Sequence, residues 1–504
     1  MATPEQADFE ERRNDIVGRY AVSNRDLKAG ELIFSEKPFA YGPKNDSPPV
    51  CLGCYAYIDC TYLCSKCSWP VCNETCENIP AHKNAECEVF ANAKAKFMNV
   101  QDPYAPCLQY ECITPLRVLL AKEKHPDIWD KHVNCMEAHL NDRKEKEIWK
   151  FNTINIVGYL RGTCKCNRFS EDLIHQVCGL LDVNAFEART ISGNAIRCLY
   201  PKLSTFSHNC VSNVTHSIES NGEGNEEDFK VTLKASVSIN KGEELCTSYT
   251  YTMWPTMARR AFLKESKYFD CNCQRCSDPT ELGTHMSTLK CMKCDNGVIL
   301  STAPLLDPES EWKCTHCQHS LKGTTVQKVF KTIQEEIDQA EAMEQDASAI
   351  ETKESLYRKY RSILHPRHAY FTILRISLAQ MYGKVEGYTM DILPNILYER
   401  KIELCQNIME NINVLEPGYT RLRGTILYEL HAPIIMLARN LYNVDVINKD
   451  ELRSKLQEAI KLLKESSEIL TLEPENSQEG MIGKMANQAY IQLSTNLEDL
   501  IDNI

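Results

Sequence analysis

The sequence has no run of eighteen consecutive apolar residues, and its first fifteen residues, MATPEQADFEERRND, are polar and acidic. A membrane-spanning helix needs about 20 predominantly apolar residues, and a secretory signal needs an apolar segment behind a basic start. Neither pattern is present. We therefore expect a soluble intracellular protein with no membrane partner.

Positive charge is also scarce, because 57 lysines and arginines stand against 69 acidic residues and give a net charge of -12. Affinity for nucleic acid grows with the number of cationic contacts to phosphate. Residues 51–90, the most cysteine-rich part of the chain, contain two lysines and five acids. This balance argues against a DNA-binding regulator, so no nucleic-acid partner is expected.

Cysteine, by contrast, is abundant, with 25 in 504 residues. The chain is long enough for two to four domains, and 43% of its residues are hydrophobic. Thiols of a protein without a secretion signal are kept reduced inside the cell. Metal–thiolate sites are therefore the expected use of the cysteines, rather than disulfides.

The first group of cysteines, in residues 51–87, has two CxxC pairs, one CxxxC pair and a histidine five residues before the last cysteine. Eight sulfur and nitrogen ligands are enough for two tetrahedral zinc ions. A segment this short cannot bury enough apolar surface to fold alone, so metal binding would supply its folding free energy and the zinc ions would be structural. The eight residues are Cys51, Cys54, Cys64, Cys67, Cys72, Cys76, His82 and Cys87.

Two further groups lie beyond residue 270. The motif CNCQRC offers three donors, Cys271, Cys273 and Cys276, and therefore requires a fourth ligand from elsewhere in the chain. The pairs LKCMKC and EWKCTHC have the spacing of a zinc ribbon, a second structural use of zinc. The ribbon ligands are Cys291, Cys294, Cys314 and Cys317.

Strand patterns appear on both sides of the first cysteine group. The stretch FKVTLKASVSI, residues 229–239, has an apolar residue at every odd position, which predicts a half-buried strand. The following NKGEEL predicts a turn at Gly242 and a second short strand that leads to Tyr249. The stretch GRYAVSNRDLKAGELIFSEKPFAY repeats this arrangement around Ala29 and Gly30, so one β-domain is predicted to be split by the cysteine-rich segment. Residues 108–160 predict a helical insert.

From about residue 324 onward, glycine and cysteine become scarce and apolar residues recur at helical spacing. The sequences LEPG and LEPEN predict helix ends, because the residue before a proline leaves the α region. Antiparallel helix pairs are therefore expected, without a strict 34-residue repeat. Two apolar faces illustrate the pattern: Val326, Val329, Phe330, Ile333 and Ile337 on one helix, and Leu452, Leu456, Ile460, Leu463 and Leu470 on another.

The chain resembles the SMYD family of SET and MYND domain protein-lysine methyltransferases. The resemblance lies in the split β-domain, the inserted cysteine-rich segment and the motifs GEELCTSY and CNCQRC. The zinc-ribbon pair and GRY in place of GRG look most like its arthropod SmydA branch. The resemblance covers nearly the whole chain and implies an α+β multidomain fold. Its implied parts are the start of the SET domain (1–50), a MYND zinc finger (51–87), a helical SET insert (88–180), the SET core with the cofactor site (181–250), a post-SET zinc site and zinc ribbon (251–322) and a TPR-like helical domain (323–504).

The same resemblance implies how the metal ligands are shared. In a MYND finger the two sites interleave, which assigns Cys51, Cys54, Cys72 and Cys76 to one zinc ion and Cys64, Cys67, His82 and Cys87 to the other. It also assigns Cys210, in FSHNCVSN, as the missing fourth ligand of the CNCQRC site. With the ribbon, about four structural zinc ions are implied.

The resemblance further implies S-adenosylmethionine as cofactor and Tyr249 as the catalytic residue, which would align the sulfonium methyl and the incoming lysine amine. It implies a protein substrate with a target lysine, a proline-rich peptide partner for the MYND finger, a monomeric state, and a location in cytoplasm and nucleus. The implied cofactor-binding residues are Gly18, Arg19, Asn184, Ser207, His208, Tyr249 and Phe269.

Three positions depart from the family pattern on the cofactor and substrate side. Tyr20 stands where a glycine is usual, Ser207 replaces the asparagine of NHSC, and Lys267 stands where many members have a second channel tyrosine, although Tyr268 is adjacent. A lysine in that wall would repel a cationic substrate. These departures motivate the alternative that the chain is an inactive or weakly active scaffold that binds partners through its finger and helices.

Overall fold

The structure is a computed structural model that describes residues 8–15, 17–98, 100–222, 224–225 and 227–498. The chain divides into two compact units. The first comprises Met1–Asn24, Leu32–Ser207 and His216–Lys234, and the second comprises Arg25–Glu31, His208–Thr215 and Ala235–Ile504. Within the described ranges, no helix combines the length and apolar character needed to cross a membrane.

The first unit contains short antiparallel strands on either side of the cysteine-rich segment, as the sequence predicts. A hairpin pairs β1 with β2, and two three-stranded sheets have the orders β3-β8-β7 and β4-β6-β5. The strands are β1 (Phe9–Asn14), β2 (Gly18–Ser23), β3 (Leu32–Glu36), β4 (Ala40–Pro43), β5 (Phe186–Arg189), β6 (Ala195–Leu199), β7 (Val214–Glu219) and β8 (Lys230–Ala235).

Strand β8 shows the predicted period of two, since Val231, Leu233 and Ala235 are buried and the residues between them are half-buried. It is shorter than predicted, because it ends at Ala235 rather than at residue 239. Beyond it, Ser236 donates its backbone N–H to Asn213 O, and Ile239 pairs with Leu27 in an isolated bridge. Beyond the strand end, the apolar residues Val237 and Ile239 are half-buried and buried, although the segment pairs with other parts of the chain rather than within a sheet.

The segment between these strands is helical, as predicted, and carries additional 3-10 or π turns at Leu108–Cys112, Trp129–Val133, Thr153–Val157, Tyr159–Thr163 and Leu203–Thr205. The last and longest helix starts at Ser170, whose side chain accepts a hydrogen bond from Leu173 N. The helices of this unit are α1 (Glu74–Glu77), α2 (Pro80–Lys83), α3 (Glu86–Ala93), α4 (Ile113–Lys124), α5 (Pro126–Ile128), α6 (Leu140–Lys144), α7 (Glu147–Asn152) and α8 (Glu171–Asn184).

In the second unit, strand β9 (Glu244–Leu245) is only two residues long, so Tyr249 lies in a bend beyond it rather than on a strand. The predicted zinc ribbon is an antiparallel meander of β10 (Leu289–Lys290), β11 (Val298–Ser301), β12 (Glu311–Cys314) and β13 (Ser320–Lys322), with a 3-10 turn at Pro304–Leu306. Its helices are α9 (Thr256–Lys267), α10 (Gln274–Ser277), α11 (Gly323–Glu341), α12 (Ala347–Tyr360), α13 (Ala369–Met381), α14 (Asn395–Leu415), α15 (Arg421–Asn443), α16 (Lys449–Leu470) and α17 (Gln478–Thr495).

The predicted apolar faces of α11 and α16 are core faces. All ten of the residues chosen from the sequence are buried or half-buried. Helix α16 starts with a capping box in which Asn448 accepts from Glu451 N while the Glu451 carboxylate accepts from Asn448 N. A buried ion pair joins α14 to α15, since the Lys401 ammonium donates to Glu429 Oε2 at 2.7 Å. The C-terminal part is thus a helical domain, as the sequence predicts.

Gly418, in the LEPG stop between α14 and α15, allows a close backbone contact. Its φ is +80°, and an added Cβ would overlap the carbonyl oxygen of Ser236. The next residue, Tyr419, donates its N–H to that same oxygen at 2.7 Å. The glycine therefore lets the interhelical turn approach the segment that follows β8.

We expect Gly418→Ala to cost about 3 kcal/mol or more, because it adds a steric overlap to the strain of a positive φ. Gly387→Ala is the matched control, since Gly387 also has φ +80° but has open space where a Cβ would lie. That control should cost only about 1 kcal/mol. Thermal unfolding of the zinc-loaded chains measures both, and equal midpoints for the two variants would contradict the role assigned to Gly418.

Candidate functional site

Among the described residues, cysteine and histidine side chains come together in four groups of four, and within each group the ligand atoms all lie within 4.8 Å of one another. Sulfurs placed about 2.3 Å from one zinc ion lie roughly 3.8 Å apart at the corners of a tetrahedron. The recorded pairs fit that spacing, with Cys54 and Cys72 sulfurs 3.6 Å apart and Cys64 and Cys87 sulfurs 3.8 Å apart. The groups are Cys51, Cys54, Cys72 and Cys76; Cys64, Cys67, His82 and Cys87; Cys210, Cys271, Cys273 and Cys276; and Cys291, Cys294, Cys314 and Cys317.

These groups have the same membership as the sets that the sequence analysis assigned. The two finger groups interleave along the chain, as the resemblance implied and spacing alone could not show. The residues fit zinc by number, type and spacing, so each group would hold one ion with four protein ligands. A site with four protein ligands leaves no position for water or substrate, which indicates a structural role.

The histidine of the second finger group is fixed by a buried carboxylate. His82 Nε2 lies 3.7 Å from Cys67 Sγ, and His82 Nδ1 donates to Glu86 Oε1 at 2.8 Å. A metal-bound histidine commonly donates its other N–H to a carboxylate, which sets the tautomer and the ring orientation. Glu86 lies four residues after His82, a helical spacing that the sequence shows but that we did not single out.

Arg117 of α4 joins this carboxylate to the rest of the first unit. Its Nε donates to Glu86 Oε2 at 2.7 Å, and its Nη2 donates to Leu52 O at 3.1 Å. Burial by itself would raise the pKa of Glu86, but the Arg117 charge and the His82 hydrogen bond lower it to about 2. The helical insert and the finger are therefore connected by one buried ion pair. A lone arginine within the apolar run ITPLRVLL is the sequence signal for it.

The third group brings together parts of the chain that are far apart in sequence. Cys210 Sγ lies 3.5 Å from Cys276 Sγ and 4.0 Å from Cys271 Sγ. Hydrogen bonds from the neighbouring sulfurs hold the pKa of Cys210 far below the usual range, which favours the thiolate form that a zinc ligand needs. Cys210 thus supplies the fourth ligand that CNCQRC lacks.

Two buried arginines and one buried glutamate surround this third group. Arg259 Nε donates to Cys210 Sγ at 3.3 Å, and its Nη1 donates to Glu281 Oε2 at 2.8 Å. Arg275 donates to the same Glu281 oxygen and to Cys210 O. Burial alone would raise the pKa of Glu281, but the two guanidinium charges lower it to about 2. No local sequence pattern identified these residues, because their partners lie up to 65 positions away.

His208 connects the third group to Tyr249. Its Nε2 lies 3.2 Å from Cys210 Sγ, and its Nδ1 accepts the backbone N–H of Tyr249 at 3.0 Å. A ring whose Nδ1 accepts carries its proton on Nε2, and Nε2–H then donates to the thiolate. Asn209 N also donates to Thr247 O at 3.0 Å. The position of Tyr249 is therefore set by a residue that is itself anchored to a metal ligand.

Two other rings and one cation lie in the surroundings of Tyr249. The His208 ring lies 5.2 Å from the Tyr249 ring and 5.9 Å from the Phe269 ring, measured between centroids. Tyr249 and Phe269 are half-buried and pack on Cys210, Cys271 and Cys276. Lys267 Nζ lies 5.9 Å from the centroid of the Tyr249 ring. The structure therefore places Lys267 beside the predicted catalytic tyrosine, where the resemblance put a channel wall.

The other predicted cofactor residues lie in the first unit. Gly18 begins β2 with φ +72° and open space around it, and Arg19 pairs with Glu11 at 3.7 Å. Tyr20 follows on the same strand, opposite Arg12. The glycine is thus required by its backbone conformation, and the Arg19 charge already has a carboxylate partner.

Asn184 ends α8, and its side-chain nitrogen donates to Glu137 O at 2.8 Å and to Leu180 O at 3.1 Å. Since both amide hydrogens have acceptors, the side-chain oxygen is the group left to accept from a ligand. The family resemblance predicts that this residue lies near the amino-acid end of S-adenosylmethionine. Ser207, which is 9% exposed, directly precedes His208.

The ribbon group is more exposed than the other three. Cys291 and Cys317 sulfurs lie 3.6 Å apart, as do Cys294 and Cys314 sulfurs. An added Cβ at Gly297 would overlap Cys314 Sγ and lie 3.0 Å from Cys294 Sγ. Glycine at this position therefore lets the backbone turn tightly against the four thiols.

Comparison with known proteins matches residues 18–250 to the SET domain family. The SET domain-containing protein SmydA-8, isoform A, of Drosophila melanogaster is 32% identical over 326 residues, which are 62% of this chain and 66% of that protein. The histone-lysine N-methyltransferase ASHR1 of Arabidopsis thaliana is 22% identical over 73% of this chain and 77% of its own. The N-lysine methyltransferase SMYD2-B of Danio rerio is 22% identical over 86% and 90%. The chain thus spans about two thirds of SmydA-8 and more of the other two.

Replacing Cys210 with serine should lower the zinc content of the purified chain from about four ions to about three, because three thiolates do not complete a tetrahedral set. Metal analysis after gel filtration measures this content. Cys135→Ser is the control, since Cys135 is exposed and outside the four groups. Retention of the full content by Cys210→Ser would mean that Cys210 is not a ligand.

Replacing Glu281 with glutamine should destabilise the second unit by about 3–5 kcal/mol, because it leaves two buried guanidinium charges uncompensated. Glu281 is 1% exposed, whereas Glu309, the control for the same substitution, is exposed. Thermal unfolding of the zinc-loaded variants reports the difference. Identical midpoints for Glu281→Gln and Glu309→Gln would contradict a stabilising ion network.

Proposed function

The chain belongs to the SMYD family of SET and MYND domain proteins, and on that premise we propose that it transfers a methyl group from S-adenosylmethionine to the side-chain amine of a lysine in a protein substrate. The observation that carries the proposal is the chain of contacts from Cys210 through His208 to Tyr249. This chain fixes a tyrosine beside the His208 ring, which in turn lies beside Phe269, at the end of the matched SET segment.

The cofactor, when bound, supplies a methyl group on a positively charged sulfur. In the second unit, the Phe269 ring would offer an apolar face for its adenine. Both ring nitrogens of His208 already have partners within the protein. His208 would therefore contact the cofactor through its backbone and the face of its ring.

Tyr249 would act by position and by its dipole. Its backbone is held by His208, so its hydroxyl has a fixed place from which to orient the reacting amine. The nucleophile would be the neutral amine of the substrate lysine. As its nitrogen bonds the methyl carbon, the bond from that carbon to the cofactor sulfur would break, S-adenosylhomocysteine would leave, and the methylated amine would lose a proton to solvent. The half-buried setting withholds water from the ammonium form and thus increases the fraction of neutral amine.

The substrate would be a lysine side chain of a histone or of another protein. The relatives' names divide in the same way, since ASHR1 is named a histone-lysine methyltransferase and SMYD2-B an N-lysine methyltransferase. The metal groups take no part in the transfer, because each already has four ligands from the protein.

A second candidate function is a scaffold that binds partner proteins without transferring methyl groups. The observation that favours it is the position of Lys267, whose positive charge lies next to the Tyr249 ring. The two candidates differ in what they require of the Tyr249 hydroxyl, which only the transferase uses.

Tyr249→Phe should lower the rate of methyl transfer by roughly 10²–10³-fold while leaving zinc content and unfolding midpoint unchanged, because it removes one oriented hydroxyl. Transfer of labelled methyl groups to a lysine-rich protein substrate measures the rate. Tyr251→Phe serves as control, since Tyr251 is a nearby tyrosine that is 43% exposed and packs on Trp254. Equal rates for the wild type and Tyr249→Phe would exclude the role given to Tyr249.

A further inference from the structure

Lys267 is the last residue of α9, and the backbone around it has a defined end. Tyr268, the next residue, has φ +62° in the left-handed region, which is uncommon for a residue other than glycine. The helix therefore stops there, and Phe269 turns into the cluster that contains Tyr249 and Cys210. Lys267 is half-buried at this helix end.

The ammonium of Lys267 lies within the distance at which an aromatic ring attracts a cation, because its Nζ is 5.9 Å from the Tyr249 centroid. The function proposed above brings two other cationic groups to the same tyrosine, the sulfonium of S-adenosylmethionine and the ammonium of an arriving lysine. Both are attracted by the ring and repelled by Lys267. S-adenosylhomocysteine, the product, has a neutral thioether instead of the sulfonium.

We infer, on the basis of the proposed function, that Lys267 is a specificity-determining residue that occupies the cation-attracting surroundings of Tyr249 and makes the site favour S-adenosylhomocysteine over S-adenosylmethionine. Its charge raises the dissociation constant of the positively charged cofactor and has little effect on the neutral product. Product therefore inhibits this protein strongly, and a substrate ammonium has to compete with Lys267 before it loses its proton.

The test is a calorimetric titration of the zinc-loaded full-length chain with each of the two ligands separately. Replacing Lys267 with methionine should lower the ratio of the two dissociation constants, S-adenosylmethionine over S-adenosylhomocysteine, by about threefold to tenfold, because one nearby positive charge is removed. Lys267→Gln, which keeps a polar side chain, should lower the ratio in the same direction.

Lys264→Met is the matched control. Lys264 lies on the same helix and its loss changes the net charge equally, but it is 69% exposed and pairs with Asp270 at 3.2 Å. Its replacement should leave the ratio unchanged. An equal fall in the Lys264 and Lys267 variants would overturn the inference, because the effect would then come from net charge rather than from position.

The outcomes also separate this inference from the function on which it rests. If both ligands bind and Lys267→Met and Lys267→Gln leave their ratio as in the wild type, the inference is wrong and the methyltransferase function stands. If neither ligand binds to the wild type or to any variant, the proposed function is wrong, and the inference falls with it.

Discussion

Completion of a four-thiolate group by Cys210 is the constraint on which the surroundings of Tyr249 depend. Cys210 is 61 residues from Cys271, its nearest sequence partner in the group, yet their sulfurs lie 4.0 Å apart. His208 is two residues before Cys210 and therefore has little freedom once that cysteine is bound. Its ring then holds the Tyr249 backbone. A structural metal ion would thus determine where the predicted catalytic residue lies without touching the reactants.

Metal–thiolate groups carry excess negative charge, and two of the four are bordered by buried ion pairs. In the finger, Glu86 orients His82 and is itself neutralised by Arg117. Around the third group, Arg259 donates to two of the sulfurs, and Glu281 lies between Arg259 and Arg275. Breaking a buried pair of this kind leaves an uncompensated charge and costs several kcal/mol. The structural ligands therefore depend on residues outside the cysteine motifs.

The sequence predicted what is determined locally. The CxxC pairs, the alternation of β8 and the apolar faces of α11 and α16 each depend on spacings of a few residues, and the structure has them. Cys210 required the family resemblance, because no local spacing connects it to CNCQRC. Arg259, Glu281 and Arg275 were missed because their roles depend on partners brought together only by folding. The segment after Ala235 was predicted as strand because its apolar residues alternate, although it pairs through an isolated bridge to Leu27 and a hydrogen bond to Asn213 rather than within a sheet.

The most direct test of this account is a calorimetric titration of the wild-type, zinc-loaded chain with S-adenosylmethionine. We expect one saturable site per chain. Binding should be lost when a chelator removes the zinc, because the third metal group positions His208 and Tyr249. Absence of binding at millimolar cofactor in a chain whose zinc content is complete would contradict the account and favour the partner-binding scaffold.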